Sequence, residues 1–118
     1  MTTSLSGARA SLSATLTAAV SYPVMDHEPA PGGLAKPTYI TVAPAGIAPT
    51  EFLLAVRCYS DTTRTRPEDA LGALEGMVQA VEDALPVGVP RGTWQIDWSE
   101  PQNAYVGTLI AEFPRDDF

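Results

Sequence analysis

A single cysteine, Cys58, leaves this chain no partner for an internal disulfide, and nothing around it has the spacing of a redox or metal motif. It stands inside an apolar run, Phe52 to Tyr59, where it reads as a small buried side chain in a reducing compartment. Histidine is as scarce. His27 is the only one, and it sits between Asp26 and Glu28 in a proline-rich segment. A general base or metal ligand would need further groups on ordered elements, and none is near in sequence, so a solvated loop histidine is the preferred reading. Basic residues are few, seven against fourteen acidic ones, for a net charge of −7. A protein that grips nucleic acid by neutralising phosphates carries the opposite balance, which disfavours that function. No apolar stretch is long enough to span a membrane, and Ser and Thr interrupt the N-terminal region where a secretory signal would need a continuous apolar core.

The composition that remains is an ordinary globular one. Across 118 residues, 45% are hydrophobic and 18% charged, enough for one domain with its own core, taken as 1–118. Eleven prolines and nine glycines point to turns and ordered loops.

Apolar residues at Leu5, Ala8, Leu12, Leu16 and Ala19 put one face on a helix over 4–19. Val20 to Met25, broken by Pro23, suits an edge strand. The segment 26–38, DHEPAPGGLAKPT, has too much proline and glycine for regular structure and is long for a turn. Tyr39 to Ala43 is a strand, closed by a Pro-Ala-Gly turn, and Glu51 to Ser60 is nearly continuously apolar, as in a strand covered on both faces. Thr65 and Glu68 have capping-box spacing and Pro67 suits the first turn of a second helix. Leu71, Leu74, Val78, Val81 and Leu85 form its stripe, and Pro86 ends it. Trp94, Ile96 and Trp98 alternate with Thr93, Gln95 and Asp97 in a strand, Ser99 to Asn103 is a turn, and Ala104 to Phe113 is the last strand. The order implies an α+β fold: a mostly antiparallel sheet of four to five strands with two helices packed on it.

No catalytic set emerges from this pattern. The carboxylate pairs Glu68–Asp69, Glu82–Asp83 and Asp116–Asp117 are adjacent in sequence, so their side chains diverge. The first is better explained by the helix dipole, the others by solubility. Gly32-Gly33 lacks the rest of a phosphate loop, and no serine lies in a nucleophile elbow. Trp94 and Trp98 on one strand face, with Tyr105 across the turn, read as core packing in preference to a base-stacking platform. The sequence points to no enzyme activity and no cofactor.

The run of elements through VSYPVM, KPTYITVAPAG, TEFLLAVRCYS, PEDALGALEGMVQAVEDALP, TWQIDW and YVGTLIAEF resembles the tail terminator proteins of siphophages, especially those of actinobacterial phages. The likeness covers nearly the whole chain but rests on no invariant motif. It implies a virion subunit, made in the host cytoplasm, whose copies form a ring of six on the tail tube. Such a ring stops growth of the major tail tube protein, meets the head-closure connector and lets DNA through its lumen without specific binding. Ring contacts join two different surfaces. The candidates are the 26–38 segment with Asp26, Glu28, Leu34 and Lys36, the turn with Arg64 and Arg66, and the acidic end with Asp116 and Asp117. Competing readings are a head-closure or neck protein, a small α+β ligand-binding module, and an adaptor unconnected with phage.

Overall fold

The apolar run from Phe52 becomes the strand around which the molecule is arranged. A computed structural model describes residues 4–25, 28, 36–63, 66–85, 89 and 92–114. In chain order the elements are α1 (Leu5–Ala19), β1 (Val24–Met25), β2 (Thr38–Ile47), β3 (Glu51–Asp61), α2 (Pro67–Ala84), β4 (Gln95–Ser99) and β5 (Ala104–Pro114). The sheet order is β1-β2-β3-β5-β4. Only β1 runs parallel to its neighbour; the other pairings are antiparallel. This is the α+β class that the sequence implied, with five strands.

Strand β3 is central and both its faces are largely buried, which is why its sequence is apolar without alternation. Both helices lie on one face. Ala8, Leu12 and Leu16 of α1, with Leu74, Met77 and Val81 of α2 and Leu85 just after it, pack on Ile40, Val42, Leu54, Val56, Cys58 and Leu109. Ser4 caps α1 by accepting from the Gly7 amide at 3.0 Å. The Arg9 Nε donates to the Val42 carbonyl at 2.7 Å and ties that helix to β2. At the other helix, the Ser60 hydroxyl donates to the Ala70 carbonyl at 2.6 Å and fixes the first turn of α2 on β3.

Four expectations need correction. Strand β2 does not stop before the Pro-Ala-Gly sequence but runs through it with a bulge between Pro44 and Gly46, and the chain reverses at 48–50. Even-numbered residues of β2 point their backbone groups away from β3: the Ile40 amide donates to Pro23 and the Val42 carbonyl accepts from Arg9. Pro44 therefore stands where its missing N–H would face outward, a place a strand tolerates proline. The N-cap of α2 is Arg66, with no side-chain cap bond, and Pro67 is the first helical residue, so Glu68 does not complete a capping box from Thr65, itself outside the described residues. The stripe of α2 is also rotated: Ala70 and Met77 are buried, whereas Leu71 is exposed and Val78 half-buried. Ala19, placed on the buried face of α1, is exposed.

Candidate functional site

Two helices at about 10 Å spacing cover roughly four strands at about 4.8 Å each. The fifth strand, β4, is left without a helix, and its alternating apolar residues meet solvent. Ile96 is 51% exposed and Trp98 50%, beside Leu71 of α2 at 37%. Between α2 and β4 runs a groove of about 410 Å³ lined by Leu71, Leu74, Glu75, Val78, Gln79 and Ile96. Its floor depends on Gly107 of β5. A Cβ there would lie 3.1 Å from Ile96 Cδ1, and 3.5 Å from both Leu74 Cδ1 and Trp94 Cε3, so the bare glycine lets these three side chains converge over the strand. Trp94 is held by its indole N–H, which donates to Glu82 Oε1 at 2.7 Å. Trp98 stacks edge-on to Tyr105 with ring centroids 5.3 Å apart. The tryptophans thus divide: Trp94 packs against the core, as expected, but Trp98 is a surface residue.

A second exposed apolar residue lies at the far end of the sheet. Ile47 is 61% exposed at the tip of the β2–β3 hairpin and pairs with Phe52 on the helix-bearing face. The sheet is long in this direction, and the molecule measures 47 × 26 × 23 Å.

The face opposite the helices carries a polar cluster. Glu28 Oε1 accepts from Arg57 Nη1 at 2.7 Å and from Thr41 Oγ1 at 3.1 Å, and Oε2 accepts from the Tyr59 hydroxyl at 2.8 Å. Tyr59 also meets Tyr39 edge-on. Burial first, and then the hydrogen bond and charge of Glu28, push the Tyr59 hydroxyl well above the ordinary tyrosine range. The carboxylate is occupied by donors of its own chain, so the cluster serves to hold residue 28 against the sheet. Burial pushes the Cys58 thiol up to about 12, far from a nucleophilic thiolate. Among the described residues no group of three or more His, Cys, Asp or Glu could hold a metal, and no helix is long and apolar enough to cross a membrane.

Of the contact residues suggested by sequence, Glu28 joins this cluster, Lys36 is exposed before β2, and Arg66 Nε lies 3.4 Å from Asp69 within the first turn of α2. Asp26, His27, Leu34, Arg64, Asp116 and Asp117 lie outside the described residues. Sequence reasoning missed Leu71, Ile96 and Ile47 as surface features. The signal present was the pairing of an apolar alternation in 94–98 with only two helices to cover the sheet. No protein-family model, curated protein or solved structure matches this chain.

Proposed function

We propose that this protein is a structural virion subunit, a tail terminator whose copies form a ring on the head-proximal end of a phage tail tube. In that role it ends polymerisation of the tube protein and joins the tail to the head connector. The observation that carries the reading is the uncovered groove between α2 and β4. Leu71, Ile96 and Trp98 place large apolar surface together on one flank of a small acidic protein, the kind of patch that another protein covers. An enzyme or ligand-binding module would instead favour an enclosed pocket with convergent polar groups. Here only Glu75 and Gln79 supply polar atoms, both on exposed positions of the helix. A net charge of −7 also suits a lumen through which DNA slides without adhesion.

Electron microscopy of lysates made by phage lacking this gene tests the role. Overlong tubes beside unattached, DNA-filled heads are the expected outcome. Tails of normal length beside heads that leak DNA would transfer the protein to head closure, and intact infectious particles would end the virion reading.

A further inference from the structure

We infer that Arg57, Thr41 and Tyr59 form a carboxylate-binding site on the sheet face opposite the helices. Glu28 fills it within the chain, and a carboxylate from another molecule takes it when Glu28 leaves. The site is built from strands. Thr41 of β2 pairs with Arg57 of β3, and Tyr59 follows two residues along, so the period of two turns all three side chains to one face. Thr41 and Tyr59 are buried, and Tyr39 meets the Tyr59 ring edge-on with centroids 6.1 Å apart. The donors are therefore fixed by the sheet and not by their acceptor.

Their chemistry selects the ligand. One guanidinium and two hydroxyls converge on a single group and engage both of its oxygens. Arg57 Nη1 donates to Oε1 of Glu28 at 2.7 Å, the Tyr59 hydroxyl donates to Oε2 at 2.8 Å, and the Thr41 hydroxyl lies 3.1 and 3.2 Å from the two. The cation favours an anionic acceptor, and buried hydroxyls cost stability when no acceptor stands over them. The occupant is held less firmly than the site. Glu28 belongs to no helix or strand, and its side chain remains 40% exposed. Its advantage is the tether: three residues past the end of β1, it is present at an effective concentration on the order of millimolar or above. A carboxylate from another molecule competes where Glu28 is removed, or where further contacts add to its own affinity.

Thermal melts of the full chain at neutral pH, in sodium acetate and in sodium chloride of equal ionic strength, provide the test. They compare wild type with Glu28→Ala and with the double variant Glu28→Ala, Arg57→Ala. Glu28→Ala should melt lower than wild type in chloride and regain roughly 2–4 °C in about 100 mM acetate, as a vacant site fills by mass action. Wild type should be nearly indifferent, since its own carboxylate is in place, and it controls for any general effect of acetate on stability. The double variant should lose the response along with the guanidinium. If Glu28→Ala does not fold in chloride, refolding followed by circular dichroism becomes the readout, and recovery in acetate alone supports the site. Acetate that serves Glu28→Ala no better than chloride would overturn the inference. Acetate that helps wild type or the double variant as much would also overturn it, as would failure to refold in either salt.

Discussion

Cys58 shows how far a single residue can be read. Its burial was legible from the apolar run around it, and the physical consequence is a thiol that titrates near 12 where an unfolded chain would titrate near 9.0. Because the folded value is raised, this group's contribution to stability is complete below about 9 and is lost as pH rises toward about 12. Urea unfolding at pH 8 and pH 10.5 should show the loss, and Cys58→Ala should reduce it, the raised Tyr59 hydroxyl accounting for part of what remains. The same thiol should ignore aromatic disulfide reagents at pH 8 until the protein unfolds. Glycines were less legible, since their neighbours come from distant sequence. A Cβ on Gly76 would meet the Tyr22 hydroxyl at 2.7 Å, whereas one on Gly72 would meet nothing within 4 Å. Gly72→Ala should therefore stabilise by up to about 1 kcal/mol through helix propensity. Gly76→Ala should destabilise the wild-type protein but stabilise a Tyr22→Phe background, which thermal melts of the four combinations would resolve.

At the scale of elements, periodicity identified the two helices and β4, and composition the other strands, and the errors fell at ends and faces. The Pro-Ala-Gly sequence looked like a turn because proline and glycine usually punctuate strands. The lone outward-facing N–H that Pro44 forgoes is a fact of pairing partners, which local sequence does not contain. The stripe of α2 was judged a few tens of degrees out of phase because Leu71 and Val78 are apolar but line a groove instead of the core. The exposure of β4 was hidden for a related reason: its alternation is that of a buried strand, and only the count of covering helices shows that, among the described residues, no helix lies over it. The uncapped start of α2 offers a direct test. Arg66 makes no side-chain cap bond and its ion pair with Asp69 is exposed, so Arg66→Ser should stabilise by about 1 kcal/mol in chemical denaturation. An unchanged or lower midpoint would show that the Arg66–Asp69 pair contributes more than its exposure suggests.

Across the whole molecule, the two faces of the sheet have different tasks. The helix-bearing face holds the core and, at its uncovered margin, the groove; the opposite face holds residue 28 through Arg57, Thr41 and Tyr59. Replacing Glu28 with Gln should bring the Tyr59 hydroxyl back toward its ordinary range, which ultraviolet titration near 295 nm would follow. An unmoved titration would mean that burial alone sets it. The two margins of the sheet also differ. Strand β4, five residues long, ends the sheet on one side. The other margin ends in the two-residue β1, and the outer side of β2 beyond it is blunted by the Arg9 guanidinium on the Val42 carbonyl, by Pro44 and by the bulge that follows. Strand-by-strand growth needs a receptive edge at both ends, as a polymer needs monomers with two reactive groups. With one end stopped, this chain behaves as a monofunctional monomer: a strand can add at β4, but stacking cannot propagate. Copies can therefore be crowded together without seeding cross-β fibres, and any ordered assembly they build is left to side chains.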